Sequence, residues 1–230
     1  MTTPAETLLA AARDLGVLDL VVLGDSALRE GHVTRVELEI CASRRRRGAP
    51  LLREVVPLLD RRSESAWESI MRVLQRAAEI PVEPQHPIHD ADGRFLARAD
   101  FWVVGTRRIH EYDGADHRRP EVQDDDLKRD RSLLRADWQR YGFTSRHRLN
   151  EAAVFIRDAD RLLGRGWEAA RLRAWEDLLN SSMLRRPAAH APWPTGGGLS
   201  SNRKVVSPGT LRWIWEDGTD HFPEEWGEEG

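Results

Sequence analysis

Arg98-Ala99-Asp100-Phe101-Trp102-Val103-Val104-Gly105-Thr106-Arg107-Arg108-Ile109-His110-Glu111-Tyr112-Asp113-Gly114 is the stretch on which the fold turns. Phe101 to Val104 and Ile109 to Tyr112 are rich in β-branched and aromatic residues. They flank Gly105-Thr106, so the pattern predicts a β-hairpin with a two-residue turn and glycine first. That turn sets Val104 opposite Arg107 and Asp100 opposite Glu111. Side chains alternate along a strand, so Asp100, Glu111 and Asp113 share one face. Like charges directly across a sheet destabilise it. The cluster therefore calls for a cation, either an arginine or a metal. Carboxylate oxygens suit Mg²⁺ or Mn²⁺, and such a metal would polarise a phosphate and activate water. The same register also sets Arg98 opposite Asp113 as a plain cross-strand ion pair, and both readings stand at this point.

Upstream, Asp92-Gly93 marks another hairpin, and strand signals run over 85–113. Residues 51–80 read as helix in two pieces, with Pro57 breaking the first. Ser65 and Glu68 frame a capping box ahead of an apolar face of Ile70, Met71, Val73, Leu74 and Ala77. Pro81 and Pro84 end that helix. Glu68 has two readings: the cap, or an acid that completes a metal shell from the helix. Residues 4–42 read as short helices. Leu8, Leu9, Ala12 and Leu15 keep helical spacing up to Gly16, a second run spans Leu18 to Leu28, and Thr34 with Glu37 opens a third. Arg44 to Arg47 and Gly48-Ala49-Pro50 read as a basic linker, either solvated or touching phosphates.

Downstream, Asp124 to Gly142 reads as helix, acidic first and arginine-rich later, as the helix dipole favours. Leu127, Leu134, Trp138 and Tyr141 fall near one face. A further helical region covers about 150–186. Residues 187–230 turn Pro- and Gly-rich, then place Trp213, Trp215 and Trp226 among acids, and are expected to be flexible chain. The domain reading is 1–50 helical, 51–150 α/β, 151–186 a helical extension and 187–230 a tail.

The whole chain carries a net charge of -3, but the seven acids after Arg212 account for more than that, leaving +4 over residues 1–212. Lysine occurs only at Lys128 and Lys204, so 33 of the 35 basic residues are arginine. Arginine suits bidentate phosphate contacts, although the bias also fits a solvated surface written in Arg codons. The longest apolar run, Val17 to Leu23, is far short of a membrane span and is broken by Asp19. No charged-then-apolar signal segment opens the chain. The single cysteine, Cys41, supports neither a disulfide framework nor a cysteine zinc cluster. These features predict a soluble cytoplasmic protein without membrane contact.

The pattern Asp100 … Glu111-Tyr112-Asp113-Gly114-Ala115-Asp116-His117 resembles the DUF559 family, grouped with very-short-patch-repair-like endonucleases of the PD-(D/E)XK superfamily. Ser63 to Ser69 resembles that family's opening helix with its acidic residue, and Asp126 to Gly142 its later helix. The resemblance covers about residues 60–150. The 4–42 flank resembles the end of an AbiEi-type antitoxin-related region of actinobacterial proteins. The resemblance implies an α/β, restriction-endonuclease-like fold: a small mixed sheet flanked by helices, with helical N- and C-terminal segments. It implies Asp100 and Glu111 as metal ligands, with Asp113 assisting and His117 as general acid or base. A solvated turn histidine is the other reading of His117. Asp113 stands where the wider superfamily has lysine. DNA is the implied partner, Mg²⁺ or Mn²⁺ the implied cofactor, and Arg118, Arg119, Lys128, Arg129 and Arg131 are candidate phosphate contacts. Trp102 would stack on a base, or pack beneath a helix. The implied activity is metal-dependent DNA cleavage, intact or decayed. The alternative is a non-catalytic module that binds DNA or a protein, for which the missing lysine and the net charge speak.

Overall fold

The computed structural model describes residues 2–112, 120–143 and 151–184, with the side chains of the helix that begins at residue 120 described from Leu127 onward. Each N-terminal helix starts where its cap chemistry dictates. In α1 (Pro4–Ala11), Thr3 accepts the Glu6 N–H and Pro4 occupies a position that needs no donor. In α2 (Val17–Arg29), the Asp19 carboxylate reaches back to the Gly16 N–H at 3.2 Å. In α3 (Arg35–Ser43), Thr34 and Glu37 form the reciprocal capping box expected of them. The basic linker is short. Gly48, at φ 91°, leads straight into α4 (Ala49–Val55), and a Cβ there would sit 2.4 Å from the Leu9 carbonyl oxygen. Pro57 turns the chain through a 3₁₀ segment, Val56–Leu58. Ser65 then caps α5 (Ala66–Ala77).

The sheet has four strands in the order β1-β2-β3-β4: β1 (Val82–His89), β2 (Phe95–Val103), β3 (Arg108–Tyr112) and β4 (Gln139–Phe143). The first three pair antiparallel, and β4 pairs parallel with β3. A parallel neighbour needs a crossover; here α6 (Pro120–Arg135) supplies it. Two further helices follow, α7 (Ala152–Leu162) and α8 (Ala169–Asn180). The architecture is a mixed α/β fold with helical segments at both ends.

The hairpin register is the one expected: Phe101 faces His110 and Trp102 faces Ile109. The turn differs. The strands stop at Val103 and Arg108, and Gly105, at φ 80°, is the third residue of a Val103–Thr106 turn. The Thr106 hydroxyl donates to the Val103 carbonyl at 2.7 Å and accepts the Arg108 N–H at 3.0 Å. That side chain closes the loop, so a tight two-residue turn is unnecessary.

The expected helix Asp124 to Gly142 is corrected in the same way. It ends at Arg135, because Asp137 takes a left-handed φ of 61° and the Trp138 N–H returns to the Leu133 carbonyl at 2.9 Å. The remainder, from Gln139, is β4. The helix is also rotated from the expected face. Leu133 is buried, whereas Leu127 and Leu134 are exposed.

Two apolar clusters sandwich the sheet. The larger one joins α1 to α5, α7 and α8 and includes Phe101, Val103 and Phe143. The smaller one holds Ile88, Ala97, Ala99, Ile109, Leu133 and Trp138 beneath α6. Ala97, Ala99, Phe101 and Val103 alternate along β2 and in a regular strand would share one face. Their division between clusters means that β2 changes face at Asp100. Gln85, the residue opposite in register, sits at φ 55°, so β1 switches at the same level. His110 points into the larger cluster, where Nδ1 meets Gln75 Oε1 at 2.6 Å. Burial, helped by Arg108, pushes its imidazole down to about 3, so it is neutral there.

Asp25 is the polar anchor of the helical half. It lies almost wholly buried inside α2. It accepts the Asp60 N–H at 2.7 Å, the Ser69 hydroxyl at 2.6 Å and the Arg72 guanidinium at 2.5 Å. Burial still lifts its proton affinity above the ordinary carboxylate range. Removing one partner of a buried pair strands the other. Asp25→Ala is expected to lower unfolding stability by about 3 kcal/mol or more, read from urea midpoints at constant m-value.

Candidate functional site

The level at which both strands change face is where the acids gather. Beyond Phe101–His110 the β2–β3 ladder has no further paired residues. The Asp100 carboxylate takes the place of a strand acceptor there and receives the Tyr112 N–H at 2.8 Å. Glu111 projects from β3 on the α6 side and is 4% exposed. Glu68 reaches in from the first turn of α5 and is 7% exposed. Carboxylates from one helix and two strands thus meet at one place, as the hairpin register implies for Asp100 and Glu111.

Glu68 does only half of what its capping box requires. Its N–H goes to Ser65 Oγ at 3.2 Å, but its carboxylate bypasses the Ser65 N–H. Oε2 instead accepts from the Glu64 N–H and from Gln85 Nε2, both at 2.9 Å. The cap thus uses the Glu68 backbone N–H, and its carboxylate is turned to Glu64 and Gln85 instead of the Ser65 N–H. Burial first, and then the negative charge of Asp100, push its carboxyl up to about 7. Burial also raises Asp100, against the opposing Tyr112 N–H. Glu111 is raised by burial and by Asp100, even though two arginines hold it.

Those arginines are Arg129 from α6 and Arg140 from β4. Arg129 Nη2 is paired with Glu111 Oε1, and it also donates to the Arg98 carbonyl at 3.0 Å. Arg140 Nε meets Glu111 Oε2 at 2.5 Å. Of the two cations the sequence allowed, arginine is the one present at Glu111. Among the described residues, no three His, Cys, Asp or Glu side chains are disposed to hold one metal ion. Arg98 pairs with Glu64 at 2.9 Å. Asp113, its alternative partner, lies outside the described residues, as do His117, Arg118, Arg119 and the tail with Trp213, Trp215 and Trp226.

Lys128 and Arg131 are exposed on α6, beside Arg129. Trp102 packs against the smaller apolar cluster. Its ring lies 4.4 Å from His86, and its indole N–H donates to the Thr106 carbonyl at 2.9 Å. Packing is therefore the role seen for this tryptophan. Sequence reasoning missed Arg140 and Gln85. Arg140 was hidden by the over-long helix, and Gln85 carries no motif.

The fold and site define a mixed α/β protein with an arginine-clasped acidic centre. No family model matches this chain, and no solved structure matches it. It is 36% identical over 115 residues to the uncharacterized protein MT2308 of Mycobacterium tuberculosis strain CDC 1551, and equally to the uncharacterized protein Rv2248 of strain H37Rv. The match covers 49% of this chain and 42% of each relative, so the chain spans about two fifths of their length. No helix among the described residues is long and apolar enough to cross a membrane.

The raised carboxyl of Glu68 has a testable sign. Its ordinary value of 4.5 rises to about 7 on folding. Between those values the folded protein binds the extra proton, so this group's stabilisation is full below about 4.5 and is lost as pH rises through 7. The difference is on the order of 3 kcal/mol. His110 acts in the opposite direction at low pH but is common to wild type and variant. Glu68→Gln keeps an acceptor for Glu64 and Gln85. Its stability relative to wild type is expected to climb between pH 5 and pH 8 (about the window set by the two values), read by paired urea melts without divalent metal.

Proposed function

We propose that the protein is a DNA endonuclease-like protein of the DUF559 type within the PD-(D/E)XK superfamily, acting on phosphodiester bonds in the cytoplasm. The reading rests on the approach of Glu68, Asp100 and Glu111 from α5, β2 and β3, with Asp100 half-buried between the buried Glu68 and Glu111. Oxygen donors of this kind fit a hard divalent ion in chemistry. In this reading Asp100, Glu111 and Glu68 would hold it, which requires them to close up from the present arrangement, where no three such side chains among the described residues are disposed around one ion. Mg²⁺ or Mn²⁺ would supply Lewis acidity and an activated water when bound. Asp100 is held in place by the Tyr112 N–H. Glu111 is oriented by its two guanidiniums. Glu68, with its proton affinity near neutrality, is able to hold or release a proton. Lys128 and Arg131, exposed three residues apart on α6, would meet the sugar–phosphate backbone, with Arg129 reaching it from the neighbouring face. Asp113 assists and His117 handles a proton in this proposal.

A second reading is a non-catalytic module that uses the same face to bind DNA or a protein, as in AbiEi-like regulators. One observation favours it: both carboxylate oxygens of Glu111 are occupied by arginine.

Nicking of supercoiled plasmid distinguishes the two. Purified protein is expected to cleave with Mg²⁺ or Mn²⁺ and not with EDTA. Asp100→Asn and Glu111→Gln are each expected to lose at least about 100-fold in rate, the scale of removing a group that stabilises transition-state charge. Retention of DNA binding without cleavage under every metal condition would support the second reading.

A further inference from the structure

We infer that residues 213–226 of this chain, which carry tryptophans and acids together, dock on the outer face of α3 and α4. The inference is independent of the nuclease reading above.

That face is both apolar and basic. Val36 and Ile40 are 61% and 54% exposed. They stand four residues apart on α3, so they form one stripe. Beside it lies a cleft of about 350 Å³, lined by Arg35, Glu39, Ala42, Arg53, Val56 and Pro57. That volume is at the lower end for pockets that take a small ligand, and it has room for one indole. Arg35 donates to the Val56 and Leu59 carbonyls at 2.7 and 2.6 Å, and Arg53 to the Ala42 carbonyl at 2.7 Å. Both guanidiniums are held by backbone oxygens, so neither charge is cancelled by a carboxylate among the described residues. At the end of α3, Arg44 and Arg46 share Glu6. Arg45 and Arg47 are exposed and make no ion pair among the described residues. Residues 35–55 hold six arginines against three glutamates.

The composition of 213–226 is the complement. Trp213-Ile214-Trp215 runs into Glu216-Asp217, and Asp220, Glu224 and Glu225 follow before Trp226, with no Lys or Arg after Arg212. Tryptophan is the strongest anchor type at interfaces, and arginine pairs with it through the ring face as well as with carboxylates. A polyphosphate would use the arginines and leave Val36 and Ile40 in water. A segment that carries indoles and carboxylates covers both.

The path is short. The Met183 N–H donates to both Asp19 carboxylate oxygens at 3.1 Å, and a Cβ on Gly16 would sit 2.5 Å from the Ser181 carbonyl oxygen. The chain therefore leaves the described residues beside the first turn of α2. A Cβ on Gly48, which follows the four arginines, would meet Leu9 and Arg13. Arg13 and Gly16 are three residues apart, at most about 10 Å, so the exit lies close to the basic end of the face. Residues 185–212 are 28 residues, and a chain of that length spans about 30 Å even as a random coil. Tethering supplies an effective concentration on the order of mM, so a weak complementarity suffices to fill the face.

A contact-quenched label on the full chain tests this. Cys41 is 2% exposed, so a thiol-reactive bimane goes to Val36→Cys, and bimane loses emission when tryptophan touches it. Quenching is expected at micromolar protein, unchanged on dilution, and weakened at about 1 M salt, where the screening length falls to about 3 Å. Trp213→Phe combined with Trp215→Phe is expected to abolish it without changing the circular dichroism. Arg45→Glu with Arg47→Glu is expected to weaken it, and adding Glu216→Arg with Asp217→Arg to that variant is expected to restore it. Quenching that follows protein concentration puts a second copy on the face and overturns the inference. Equal emission with and without the two tail tryptophans, or a label that responds only to added duplex DNA, overturns it as well.

Discussion

Two neighbouring strands change faces at the same level, and the rest of the site follows from that. A regular strand shows one set of side chains to one layer throughout its length. Here β2 gives Ala97 and Ala99 to the cluster under α6, then Phe101 and Val103 to the core shared with α5. The Asp100 carboxylate lies within reach of the Tyr112 N–H, which the ended ladder leaves without a strand partner. A backbone donor in a protein interior must be satisfied, and an acid is the acceptor used. The irregularity therefore explains how an ionisable group comes to sit between strands, beside Glu68 and Glu111. Small residues at 97 and 99 let α6 approach closely enough for Arg129 to reach the same place.

Electrostatics then fixes how the acids coexist. Three carboxylates withdrawn from water repel one another and favour protons. Two guanidiniums offset this at Glu111, and backbone N–H groups offset it at Asp100 and Glu68. The remaining imbalance is greatest at Glu68, whose compensation comes only from neutral donors: the Glu64 N–H, the Gln85 amide and the Ser65 hydroxyl. The contrast with Asp25 is instructive. That carboxylate is more deeply buried but is met by an arginine, a hydroxyl and a backbone N–H with no second acid in the cluster of bonds, and it serves to bind α2 to α5. Burial alone thus does not mark a functional acid. The presence of other acids nearby, incompletely balanced, is what makes a carboxylate a candidate for function.

Much of this was legible in the sequence where local chemistry decides. The Thr34–Glu37 box and the Ser65 cap gave the helix starts, because caps act over three or four residues, whereas the first helix stops at Ala11, short of the expected Gly16, which instead precedes α2. The Phe101–His110 register followed from where the turn had to lie, even though Thr106 closes a longer loop than expected. The failures were non-local. Gln139 to Phe143 has no alternation that announces a strand, and only pairing with β3 makes it one. The left-handed residue that ends α6 is an aspartate, not the glycine that would have signalled a stop. With β4 unseen, Arg140 had no reason to stand beside Glu111. Asp25 was invisible for a similar reason, since its partners Asp60, Ser69 and Arg72 lie more than thirty residues away.

The outer strand of the sheet carries a further consequence. β1 contains Pro84 and Pro87 within eight residues, and proline brings no N–H to a ladder. An interior strand would tolerate them poorly, but among the described residues β1 has a neighbour on one side only. A second polypeptide approaching that border would find donors missing at two positions and an irregular bend at Gln85. Sheet extension across copies is thereby discouraged on this side. Pro84 and Pro87 thus guard this strand against fibrillar self-association.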